Sequence, residues 1–94
     1  VEDEKVLEIL KMISHPTRLA ILRRIQAMEL QGEVTCSCVL DDMEISQSTF
    51  SHHITELSQS GLITTKAQGR FNYLAVNREI WEEFQNKLTG VVFG

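Results

Sequence analysis

The segment Ser46-Gln47-Ser48-Thr49-Phe50-Ser51-His52-His53-Ile54-Thr55-Glu56-Leu57-Ser58-Gln59-Ser60-Gly61 decides the fold. Phe50, Ile54 and Leu57 recur at i, i+4 and i+7, the spacing of one apolar stripe along a helix. Ser46 suits the N-cap, and Gly61 stands where a left-handed residue closes a helix. With about 100° between successive residues, the stripe leaves Ser48, Thr49, Ser51, His52, Thr55 and Gln59 on the outer face. That face is almost uncharged and rich in Ser and Thr, which are poor helix formers, so their concentration calls for a reason other than propensity. Gln47, Ser48, Thr49, Ser51, His52 and Thr55 have the side chains to address base edges and phosphates in a major groove, helped by free N–H groups at the helix start. Ordinary exposed helix surface is the plainer alternative. His52 points outward as a contact residue, whereas His53 lies beside the apolar stripe and is expected to be partly buried.

Upstream, Glu33 to Cys38 reads as a short extended piece running into a short helix over about Ser37 to Met43, so helix, turn and helix lie in tandem. A longer helix starts near Pro16, with Leu19, Leu22, Ile25 and Met28 on one stripe, Ile21 widening it and Gly32 stopping it. Glu2 to Ile13 forms another amphipathic helix through Val6, Leu7, Leu10 and Ile13. Downstream the period changes to two: Ile63, Thr65 and Ala67, a Gln68-Gly69 turn, then Phe71, Tyr73 and Ala75 make a β-hairpin. Its tip carries Lys66 and Arg70, cations able to touch a phosphate backbone, and Phe71 and Tyr73 are expected on the inward face. A last helix covers Arg78 to Leu88 through Ile80, Trp81, Phe84 and Leu88, with Val91-Val92-Phe93 trailing after Gly90. The class is mainly α with a small β-hairpin (α+β), in the order α-α-(β)-α-α-β-β-α, as one domain over residues 1–94.

Ninety-four residues leave no room for a second domain, and so thin a core gains from pairing with a copy of itself. No apolar run approaches the ~20 residues of a membrane span, and the acidic N-terminus lacks the order of a signal peptide, so no membrane partner and a cytoplasmic location are expected. The net charge of -4 hides a pattern: both ends are acidic, while residues 45–78 hold three cations against one carboxylate. With the ends packed away from a ligand, the middle can face a polyanion. No phosphate-cradling glycine loop and no hydrolase or zinc-protease motif is present, so an enzyme is not expected. A module that binds protein and has abandoned DNA is the alternative that the acidic total suggests.

Ser14-His15-Pro16-Thr17-Arg18-Leu19-Ala20-Ile21-Leu22, Ser46 to Ile54, Ser60-Gly61-Leu62-Ile63 and Gly69-Arg70-Phe71-Asn72-Tyr73 together resemble the ArsR/SmtB family of bacterial winged helix-turn-helix repressors. The likeness runs from about Leu10 to Val76. It implies a homodimer joined through the first and last helices, the helix from Ser46 to Ser60 as reader, the hairpin as wing, double-stranded operator DNA as partner, and release from the operator by an inducer.

Metal-sensing members carry Cys-x-Cys on the helix before the reader, and Cys36-Ser37-Cys38 falls there, displaced by about one position, with Leu40 where a third cysteine can occur. Two thiolates suit a soft ion such as arsenite, which prefers three sulfurs. A partner chain or a solvent thiol would complete the set, with His15, Asp41 and Asp42 as further candidate ligands. On a regular helix the two thiols diverge by about 200°, whereas an extended segment lets both face one way. A soft-ion site at Cys36 and Cys38, a reactive thiol switch and ordinary packing therefore stand side by side. The zinc pattern of the family's last helix is absent, because Trp81 to Asn86 contains no histidine.

Overall fold

The computed structural model describes residues 3–94. Five helices, α1 (Asp3–Ile13), α2 (Pro16–Glu29), α3 (Cys36–Asp41), α4 (Gln47–Gln59) and α5 (Arg78–Phe93), enclose one side of a three-stranded antiparallel sheet made of β1 (Val34–Thr35), β2 (Ile63–Gln68) and β3 (Phe71–Val76). Strand order is β1-β3-β2. The sequence yields the hairpin; the third strand comes from long-range pairing of Val34 with Leu74 and Thr35 with Tyr73. Glu2, which the periodicity assigns to the first helix, lies outside the described residues.

The helix starts follow from local chemistry. His15 Nδ1 accepts the Thr17 N–H at 3.2 Å while Pro16 occupies the first turn of α2, where its missing N–H is no loss. Thr35, Ser46 and Asn77 cap α3, α4 and α5 in the same way, each side-chain oxygen taking a backbone N–H at the helix start. At the end of α4, Gly61 adopts φ +86° and donates to Ser58 O, while the Leu62 N–H reaches back to Leu57 O, the paired bonds of a Schellman motif. That turn delivers Leu62 and Ile63, both buried, into the core and starts β2.

The core joins Val6 and Ile9 of α1, Ile21, Leu22 and Ile25 of α2, Val34, Val39, Phe50, Ile54 and Leu57, and Leu62, Ile63, Leu74 and Phe84. Several expectations change here. On α1 the buried positions are Val6 and Ile9, and Leu7, assigned to the stripe, is 57% exposed. In the hairpin, cross-strand partners share a face, so Ile63 with Val76 and Thr65 with Leu74 define the inner side. Phe71 and Tyr73 have the opposite parity: Phe71 is 46% exposed, and Leu74 takes the core position expected of the aromatics. Aromatic weight misled where the buried Ile63 already fixed the register. The turn is also one residue later than Gln68-Gly69, because Gln68 pairs with Phe71 and leaves Gly69-Arg70 at the tip, Gly69 at φ +62°. Finally, α5 runs through Gly90 to Phe93; a helical glycine costs about 1 kcal/mol against alanine and does not by itself end a helix.

Leu57 is fully buried at the centre of α4, so Leu57→Ala is expected to destabilise the domain by about 2–5 kcal/mol. Urea unfolding at fixed protomer concentration checks this, and a midpoint equal to that of the parent contradicts the packing described.

Candidate DNA-reading face

The outer face of α4 is set by its inner one. Phe50, His53, Ile54 and Leu57 are buried, and Gln47, Ser48, Thr49, Ser51, His52 and Thr55 are all exposed on the other side, in agreement with the helical wheel. Three of the hydroxyls are already engaged. The Ser46 hydroxyl caps the Thr49 N–H, donates to Thr49 Oγ1 at 2.9 Å and lies 3.3 Å from Ser48 Oγ; Thr55 Oγ1 donates to Ser51 O at 3.0 Å. The side chains of Gln47, Ser51 and His52 make no hydrogen bond within the described residues, so their donors and acceptors are open to a ligand.

The wing meets this face on one side only. Gln47, Ser51 and Thr55 share a groove with Thr65, Arg70 and Asn72, its floor formed by Leu40, Phe50 and Ile54. Arg70, exposed at the tip, packs its guanidinium 5.8 Å from the centre of the Phe71 ring. Lys66 is not part of the groove. It stands opposite Tyr73 on the other face of the sheet, in a depression it shares with Glu29 and Glu33. Of the cations the sequence assigned to the wing, the structure brings Arg70 to α4 and leaves Lys66 apart.

Cys36 and Cys38 are the first and third residues of α3, not part of an extended segment, because Thr35 Oγ1 accepts the Cys38 N–H at 3.2 Å and starts the helix there. The two side chains therefore diverge by about 200°. Cys36 is half-buried and lines the groove, and Cys38 is exposed; both thiols are free. Burial pushes the Cys36 thiol up from its ordinary value. Among the described residues no cluster of three or more His, Cys, Asp or Glu is arranged to hold an ion. His15 is held elsewhere, stacked edge-on against His53, and Asp42 pairs with Arg24. One chain alone thus does not fit a three-sulfur soft-ion site.

Sequence reasoning missed how α4 is anchored. The Arg18 guanidinium of α2 donates from Nε to His53 Nδ1 at 3.2 Å and approaches Glu56 at 3.8 Å, while Lys5 Nζ donates to Ser60 O at 3.0 Å. The only signal for the first of these was His53 lying next to the apolar stripe. His53 is 5% exposed. Burial, then the neighbouring His15, Arg18 and His52, hold its pKa below the ordinary 6.5, against a smaller upward pull from Glu56.

The match to a helix-turn-helix domain family covers residues 13–66, from the end of α1 into β2. The chain is 35% identical to the arsenical resistance operon repressor of Staphylococcus xylosus over 85% of its own length and 73% of that protein. It is 30% identical to the transcriptional repressor SdpR of Bacillus subtilis, over 83% of this chain and 82% of that one. A homodimeric winged helix-turn-helix DNA-binding domain from Mycobacterium bovis superposes with a TM-score of 0.70 at 22% identity, covering 95% of this chain and 78% of that one. Helices α3 and α4 with the β2–β3 wing define a winged helix-turn-helix protein. The chain belongs to the ArsR family of transcriptional regulators, which are not enzymes.

A neutral, buried His53 links stability to pH. The unfolded chain takes up the imidazole proton near 6.5, before the folded chain does, so stability is complete above that value and falls as pH drops toward the lower folded midpoint. Urea titrations at about pH 7.5 and about pH 5.5, on either side of the ordinary imidazole value, are expected to show the parent losing more stability than His53→Gln. Equal losses contradict the assignment.

Proposed function

We propose that the protein is a homodimeric, sequence-specific repressor that reads operator DNA with the outer face of α4 and braces on the backbone with Arg70. The observation that carries this reading is the pairing of an exposed, nearly uncharged, hydrogen-bonding helix face with a cation at the adjacent wing tip. Short hydroxyl, amide and imidazole groups suit base edges, and guanidinium suits phosphate. Ser48, Thr49 and Thr55, partly tied within the helix, present their remaining lone pairs, while Gln47, Ser51 and His52 offer complete sets. Lys66, on the far side of the sheet, adds charge without a base contact. Dimer contacts fall to α1 and α5, which pack on each other and leave Leu7, Val91, Val92 and Phe93 uncovered, Phe93 at 85%. Twofold pairing places two α4 helices in half-sites about one DNA turn apart.

The inducer, in this reading, acts through thiol chemistry at Cys36, whose side chain lines the groove between α4 and the wing. Arsenite or another soft ion bound there takes its remaining sulfur ligands from outside the chain, because Cys38 points away. An oxidant acting on the same thiol would fill the same groove.

Two sets of measurements test this. In mobility shifts with operator and scrambled duplexes, His52→Ala or Ser51→Ala is expected to weaken operator binding roughly tenfold with little change for the scrambled duplex, and Arg70→Ala to weaken both. Equal losses for both duplexes with all three variants contradict the roles given. In the second set, arsenite, cadmium or oxidant is expected to release the parent and Cys38→Ser from the operator but not Cys36→Ser. Release of Cys36→Ser removes that residue as the sensor, and DNA affinity absent at low salt favours a protein-binding module instead.

A further inference from the structure

We propose that Arg18 and a neutral His53 form a positioning latch that holds α4 in its DNA-reading pose, and that mild acid opens it. The proposal rests on the reading of α4 given above. Arg18 has a side chain 15% exposed, and its guanidinium acts only as a donor. Its Nε–H points at His53 Nδ1, 3.2 Å away, and that contact exists only while Nδ1 carries a lone pair. The other ends of the same guanidinium reach Met12 Sδ at 3.6 Å and Glu56 at 3.8 Å, so one side chain ties α1, α2 and α4 together.

The groups around His53 are one guanidinium, two further imidazoles and one carboxylate. His15, from the turn between α1 and α2, places its ring centre 4.6 Å away, edge-on; His52 of α4 lies at 5.8 Å; Arg18 comes from α2. Glu56 of α4 is the carboxylate facing them, and it already engages Arg18. A proton on Nδ1 removes the acceptor and sets a like charge against the guanidinium. Arg18 and His53 must then part, and because they sit on different helices the separation acts on how α4 packs against α2. Residues 47, 51 and 52 of the same rigid helix move with it. All three histidines of the chain gather at this point.

The sign separates the latch from simple charge. Added positive charge strengthens binding to any duplex, whereas opening the latch weakens only the specific mode. The ratio of operator to scrambled affinity is therefore the readout. Fluorescence anisotropy at fixed salt is run at about pH 7.5 and about pH 5.5 for the parent and for His53→Gln, whose amide oxygen accepts from Arg18 without titrating. The parent's ratio is expected to fall roughly tenfold, as for loss of one hydrogen bond to a charged group, while that of His53→Gln stays nearly level. Parallel behaviour of the two proteins overturns the latch. Should His53→Gln not fold, imidazole nitrogen NMR of the parent decides: Nδ1 unprotonated at neutral pH, with a titration that tracks the falling ratio, supports it. A proton on Nδ1 at neutral pH, or a constant ratio through the His53 titration, overturns it. Operator preference that is absent at every pH overturns the reading-helix assignment together with the latch; a preference that is present but pH-independent overturns the latch alone.

Discussion

Burial of Phe50, His53, Ile54 and Leu57 along one side of a thirteen-residue helix is the constraint on which the rest of the structure depends. Such a helix is too short to persist alone and is held by the packing of that side. Once the stripe is inward, the opposite face is fixed to within a fraction of a turn, and Ser51 and His52 have nowhere to go but solvent. The same stripe sets the wing, because Leu57 accepts the Leu62 N–H in the turn at Gly61 and sends Ile63 into the core. From Ile63 the parity of both strands follows, and with it the position of Arg70 beside α4.

Much of this was legible in the sequence because it is local. The cap at Ser46, the helix start at Pro16, the break at Gly61 and the stripe of α4 each depend on residues within a turn or two, and the structure keeps them. What escaped depends on distant partners. The parity of Phe71 and Tyr73 is decided by pairing with Ile63 to Gln68, not by the appeal of aromatic side chains for a core. The short extended piece expected from Glu33 is present as β1, but its place beside β3 is decided by Leu74 and Tyr73. The contact of Arg18 with His53 spans thirty-five positions and involves two polar residues, so no periodicity announces it. The helical placement of the cysteines turns on the Thr35 cap, a single side-chain hydrogen bond.

Charge and chemistry are divided along the same lines. A chain of net charge -4 gathers acid in its first and last helices and keeps the face of α4 nearly neutral, so specific contacts there meet no carboxylate except Glu56, which is turned toward Arg18. Similarity to an arsenical resistance operon repressor and to the transcriptional repressor SdpR places this chain among repressors, and the divergence of Cys36 and Cys38 shows that family membership alone does not supply a complete soft-ion site. The groove lined by Cys36 and the imidazole cluster at His53 lie on different sides of α4, one facing the wing and one facing α2. Both touch the helix that presents the proposed reading face.

The most direct test of the central claim is equilibrium binding of the protein to duplexes from its own promoter region and to scrambled controls across a salt series. The account predicts a promoter duplex bound at least about a thousandfold more tightly than its scrambled control, with affinity that falls steadily as salt rises. Equal affinity for both duplexes, or no binding at low salt, would contradict it.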